Sequence, residues 1–347
     1  MSHYPGVEVY SCFSLLAFLL FIIPSLCAWH LEARNTALLC ASVWGAIGSL
    51  NFFINSVVWN GRVDNFAPVW CDISSKIQIG MNVAFHACSL SMNRRLYYIA
   101  KGDIAVTSVE KRRTIMVDLS ICVGIPVLHM ILNYISQEYR FDILEDFGCF
   151  PSDDTTWVSY FLLVPWPLVI VLVSSVYSIL NLKAFNQYRK RFKEHLSQVN
   201  GLNPNFYLRL MCLTGTDIVL TIPLSVWFAA TNSVDFVPWI SWEETHHNFS
   251  RIQFVPAPLW EFDSDQVMAL ESTRWSVVMC GFLFFGFFGF TTEARKAYRT
   301  LFSHIWRRSF GHKMSNEAME PDLVFDFAPF QSQHSTIPQS GAVPVEV

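Results

Sequence analysis

Seven separated, mostly apolar stretches constrain this chain more than any motif does. They are Val7–Trp29, Ala37–Trp59, Trp70–Ala100, Thr114–Ile135, Trp157–Leu182, Tyr207–Thr231 and Thr273–Thr292. About 20 such residues in a helix cross the roughly 30 Å hydrocarbon core of a bilayer. Lipid offers backbone groups no hydrogen bonds, so each stretch must be a helix that closes its own ladder. Composition agrees: 52% of residues are apolar, 15% are charged and the mean hydropathy is +0.32, unlike an ordinary water-soluble domain. The expected fold class is an all-α membrane protein, a seven-transmembrane helix bundle. The bundle occupies residues 1–310, including a short amphipathic helix after the last span. Residues 311–347 are Ser/Pro/Gln-rich and read as a disordered cytoplasmic tail. Val7–Trp29 has no preceding basic stretch and no small-residue cleavage site, so it reads as a retained span rather than a signal peptide.

Basic residues in short loops set orientation. With the N-terminus outside, all but five of the 24 Lys and Arg (Arg62, Lys76, Arg140, Arg251 and Arg274) fall on the cytoplasmic side. The expected topology is therefore N-terminus outside and C-terminus cytoplasmic, in a multi-pass plasma-membrane protein. "NFS" at Asn248–Ser250, the one N-glycosylation acceptor pattern, then lies outside and makes Asn248 a candidate glycosylation site. A net charge of −4 gives nothing in favour of nucleic acid.

Seven of the nine cysteines lie within spans, where small buried packing residues are expected. Cys71 and Cys149 fall in outer segments, where disulfides persist. A bridge between them would pin the second outer loop across the third helix; the alternative is two unpaired thiols.

Ionisable residues inside a bilayer are functional candidates, each with a plainer alternative. Asp72 and Lys76 stand in the favoured i,i+4 order, as an interfacial ion pair or as the polar floor of a cavity open to the outside. Asp217, deep in the sixth span, must face the bundle, either as a structural bond to a neighbouring helix or as a proton-sensing or two-state element. His86 reads as a satisfied interior histidine. Asn51 and Asn55, one turn apart, read as interhelical glue. "WEETHH" at Trp242–His247 lacks the spacing that puts two imidazoles on one helix face. No metal site, cofactor or catalytic set is expected, and so no enzyme. Lys76, His86 and Asp217 as a relay would suit a secondary transporter instead, but the paired inverted repeats of that class are not visible. The loop "FNQYRKRFKEHLSQVNGLNPNFYLRL" between the fifth and sixth spans is basic and amphipathic, a surface for lipid or for a cytosolic protein.

Several ordered stretches are more specific than these patterns. "LNFFINSVVWNG", "PVWCDISSKIQIG", "RRLYYIA", "YISQEYRFDILEDFGC", "NFYLRLMCL", "PWISWEETHHNFSRI" and "FFGFTTEARKAY" run in order from Leu50 to Tyr298. In these the chain resembles the fungal lipopeptide mating-pheromone receptors, the a-factor-receptor type of class D G-protein-coupled receptors. The resemblance implies a farnesylated peptide pheromone bound from outside and a heterotrimeric G protein activated inside. It leaves a homodimer open. "NRR" at Asn93–Arg95 is not the Asp-Arg-Tyr of rhodopsin-like receptors, so roles tied to that signature do not transfer. On the receptor reading, Asp72, Lys76, Trp239 and Trp242 are ligand-side candidates. Arg94, Arg95, Lys190, Arg191 and Arg209 are candidates for facing the G protein.

Overall fold

The computed structural model describes residues 5–28, 35–101, 107–154, 156–199, 204–231 and 237–290, with Arg295 and Arg299. The expected helix after the last span and the tail of residues 311–347 lie outside the described residues, as do the side chains of Lys190 and Arg191.

The chain opens with α1 (Pro5–Ala28), α2 (Thr36–Val58) and α3 (Pro68–Lys101). Asn35 caps α2 by accepting the Leu38 N–H, which satisfies a donor that the first turn leaves free. The fourth span is composite: α4 (Ser108–Leu119), a π turn at Ser120–Gly124, and α5 (Ile125–Ser136). A reciprocal Thr107/Glu110 capping box starts it. The π turn has a local cause. Pro126 brings no N–H to the carbonyl four residues back, that of Cys122. That oxygen instead accepts the Trp44 indole N–H from α2, at 3.0 Å.

The fifth span differs from the continuous Trp157–Leu182 helix expected from sequence. α6 (Trp157–Leu163) stops at Val164–Pro165, and α7 (Trp166–Val199) continues well beyond Leu182. Pro165 and Pro167 leave two helical donors missing within one turn, enough to break the ladder. α8 (Pro204–Thr231) forms the sixth span and keeps Pro223 inside it. After α9 (Trp242–Thr245) and α10 (Ala257–Trp260), α11 (Ser264–Phe288) forms the seventh. It starts at Ser264 rather than at the expected Thr273: Asp263 caps it by accepting the Asp265 N–H, and Glu271 and Arg274 pair with each other one turn apart within it.

Among the described residues, six of these spans are long and apolar enough to cross a bilayer on their own composition. α3 is the exception. It packs against α2, α5, α7 and α8, so protein surrounds most of its polar positions, among them Ser74, Gln78, Ser91 and Asn93. Its Gly80, Ala84 and Ala87 are buried, small residues that let neighbouring backbones close in.

At the end of the bundle where α3 begins, three short strands form a mixed sheet that the sequence pattern did not announce. β1 (Phe141–Leu144) pairs antiparallel with β2 (Gly148–Phe150) and parallel with β3 (Ile252–Val255). The β1–β2 turn needs positive φ at Asp146 (67°) and Gly148 (91°). A Cβ on Gly148 would fall 2.7 Å from that of Asn55, so only glycine fits there. Trp59, Phe141 and Ile143 pack under this cap around Cys71 and Cys149.

Candidate functional site

Cys71 and Cys149 are joined by a disulfide, with Cα atoms 5.1 Å apart. It ties α3 to β2. Asn55 of α2 reinforces the joint, donating to Ser74 Oγ (2.8 Å) and the Cys149 carbonyl (3.3 Å) and accepting the Trp70 indole N–H (2.8 Å). Gln78 donates to the same carbonyl at 2.7 Å. Asn51, one turn below Asn55 and 1% exposed, bonds nothing among the described residues, so the expected glue role falls to Asn55 alone.

The expected Asp72–Lys76 pair does not form. Arg140, from the loop after α5, holds Asp72 in a two-pronged contact (2.9 and 2.6 Å), and Lys76 donates to Asn133 Oδ1 and Gln137 Oε1, both at 2.7 Å. A guanidinium fork matches a carboxylate better than an ammonium does, while Lys76, turned into the bundle, meets neutral amide oxygens. The Asp72 and Arg140 side chains are 40% and 38% exposed, which limits their pair to roughly 0–1 kcal/mol. On β1, burial pushes the Asp142 carboxyl up to about 6 against a lowering hydrogen bond from Ser152, and nearby Glu138 raises it further.

Trp242 is exposed and stacks on His246 at 3.9 Å, and His246 Nε2 lies 3.1 Å from the Tyr134 carbonyl at the end of α5. Trp239 is half-buried, and Asn248 is exposed in the following turn. Lys76 and Trp242 thus reach the same end of α5 on different faces. Lys76 meets buried Asn133, while Trp242 meets the ring of exposed Tyr134. Lys76 and Trp242 therefore do not meet each other.

At mid-bundle, His86 Nδ1 of α3 and Asp217 Oδ1 of α8 are 3.0 Å apart, and Thr221 donates to the same oxygen at 3.1 Å. The pair is not sealed: its side chains remain 17% and 18% exposed.

Toward the other end, buried Asn93 joins three helices. It donates to Ser174 Oγ of α7 at 2.9 Å and accepts from Thr214 of α8 at 2.9 Å, and its carbonyl accepts from Asn181 at 2.9 Å. Asp118 of α4 is fully buried and accepts from Ser91 and Arg94 at 2.9 Å each and from Arg95 at 3.5 Å. Arg94 and Arg95 are thereby drawn toward α4 rather than left free. Arg209 donates to the Phe287 carbonyl near the end of α11, at 3.0 Å, a carbonyl end that attracts cations. Lys101, Lys111, Arg112 and Arg113 are open to solvent at this end. Sequence reading missed Asp118, Arg140 and the Asn93 hub as partners. An aspartate inside a span, next to two arginines ending the previous helix, was the available signal.

Seven spans, a disulfide from the third helix to the loop after the fourth span, and polar contacts between the third and sixth define a multi-pass membrane protein built as a seven-helix bundle. The chain belongs to the STE3 family, described as pheromone A receptor, whose sequence model matches residues 9–310. That family consists of seven-transmembrane G-protein-coupled receptors and is the one that the sequence motifs resemble. The chain is 42% identical over 296 residues to the Pheromone B alpha 1 receptor of Schizophyllum commune, covering 84% of this chain and 45% of that protein. It is 40% identical over 297 residues to the Pheromone B alpha 3 receptor of the same fungus (85% and 47%). With Pheromone receptor 1 of Mycosarcoma maydis it shares 33% over 295 residues (84% and 82%). The chain thus spans about half the length of the Schizophyllum relatives.

Proposed function

We propose that this chain is a plasma-membrane receptor for a farnesylated peptide pheromone and activates a heterotrimeric G protein, with no enzymatic activity of its own. The disulfide end faces outside and the cation-rich end faces the cytosol. The observation that carries the reading is the family match over nearly all of the described bundle. The physical layout supports it, since α3 runs from the disulfide cap to the Asn93 and Asp118 clusters and touches both compartments.

Such a receptor works by population shift. A ligand outside and a G protein inside must prefer the same conformer, and each then strengthens the other's binding. α8 is the element whose position both ends can bias, through His86–Asp217 and Asn93–Thr214. On this reading Asp72, Trp239 and Trp242 shape the outer surface, Lys76 lies beneath it and Asn248 carries glycan. Lys190, Arg191 and Arg209 meet the G protein, and Arg94 and Arg95 act from their Asp118 clamp.

Expression in a receptor-less mating reporter strain, challenged with a panel of farnesylated peptides, tests the function. A response to at least one peptide that needs the G protein is expected. Silence toward the whole panel, with substrate uptake into vesicles lacking G protein, would favour a transporter.

A further inference from the structure

One residue of the innermost helix is out of place for a packed bundle. Asn82 of α3 is exposed, although α3 is walled by α2, α5, α7 and α8. Its neighbours one turn either way on the same helix face are both engaged inward. Gln78 reaches the Cys149 carbonyl at 2.7 Å and His86 reaches Asp217 at 3.0 Å. Asn82 therefore does not point to lipid; it lies between the disulfide cap and the His86–Asp217 pair. α8, which His86 meets one turn further along, is open over the matching stretch: among the described side chains from residue 218 to 230 only Thr221 is buried, while Val219, Leu220, Leu224 and Val226 are 40% to 70% exposed. Asn82 bonds no protein group among the described residues.

We infer that Asn82, with His86, Asp217 and Thr221 as its floor, is a binding notch for one amide or ester unit of the lipopeptide, reached through the loosely packed upper part of α8. This rests on the receptor reading above. A primary amide offers two donors and one carbonyl acceptor, the complement of a peptide unit, and nothing in the protein uses them. The floor is one of the contacts that link α3 to α8, so a ligand seated at Asn82 lies one turn from a pair that bears on the position of α8.

The test uses the full chain in the reporter strain and the synthetic farnesylated peptide giving the strongest wild-type response. Asn82→Ala should move the half-maximal peptide concentration up by about tenfold, the loss of one or two hydrogen bonds, at an unchanged amount of surface receptor. Asn82→Cys, in a background with Cys12 and Cys212 replaced by serine, should react with a small hydrophilic thiol reagent and be protected by the same peptide. An unshifted dose response together with unprotected labelling overturns the notch while leaving the receptor reading intact. A wild-type chain that answers no farnesylated peptide overturns both.

Discussion

α2 and α8 are both long, apolar spans, yet the bundle treats them differently. α2 buries an inward face of small and polar residues, among them Ala37, Gly45, Gly48, Ser49 and Ser56, and fixes α3 and the cap through Asn55. α8 buries Tyr207, Leu210, Thr214 and Thr221 among its described side chains, and its attachments at separate points include Tyr160 to its Ala229 carbonyl, His86, Asn93, Tyr207 to the Leu96 carbonyl and the Arg209–Phe287 contact. A helix packed along its length moves only with its neighbours, whereas one held at points has a second position within reach once those contacts break. The contrast assigns α2 and α3 to the frame and α8 to the lever.

The comparison is open to attack at its strongest joint first. Cys71→Ser should cost about 2–5 kcal/mol, read as loss of surface receptor and a large fall in thermal unfolding temperature; a variant as stable as wild type would mean the frame does not need its cap. Next, Asp118→Ala leaves two guanidiniums without their counter-charge. Their side chains keep 18% and 27% exposure, so the cost is put at about 2–3 kcal/mol, below that of a fully buried pair. On the lever, Thr214→Val removes one hydrogen bond to Asn93 and should cost about 1 kcal/mol while raising signalling without pheromone. Stability loss with unchanged basal signalling would make α8 part of the frame.

A smaller effect concerns the cap alone. Folding raises the Asp142 carboxyl from its ordinary value of 3.8 to about 6, so between those values the folded chain holds more protons than the unfolded one. Stability from this group is present at low pH and is lost as pH rises through about 6. Asp142→Asn should therefore stabilise by about 1 kcal/mol at pH 7.5, discounted for partial exposure, and by almost nothing at about pH 3, below the unfolded value. An equal gain at both pH values would exclude titration as the cause. Smallest of all, Val226→Ala on the exposed face of α8 should stay within about 0.5 kcal/mol.

How much of this was legible in the sequence varies by region for physical reasons. The spans followed from hydropathy because lipid leaves the backbone no other choice. The early start of α11 escaped because hydropathy counts Glu271 and Arg274 as two charges, whereas paired, with Arg274 also 4.7 Å from the Tyr10 ring centroid, they act as one neutral unit. Asp72 was matched with Lys76 by local spacing, but its partner Arg140 lies 68 residues away, and local rules cannot rank a distant fork against a near ammonium. The sheet was invisible because strands of three or four residues carry no readable alternation, and β3 arrives from a separate loop. Asn82 gave no signal at all. Its meaning comes from exposure on a central helix, which only packing reveals.

On the proposed receptor function, α8 moves against a fixed α3–α4 frame when pheromone and G protein bind. Spin labels at Lys111→Cys on α4 and Leu208→Cys on α8, both exposed positions, report that distance in a background lacking Cys12 and Cys212. The distance should widen by several ångströms, and by more with G protein than with the farnesylated peptide alone. An unchanged distance in receptors that still activate the G protein would contradict it.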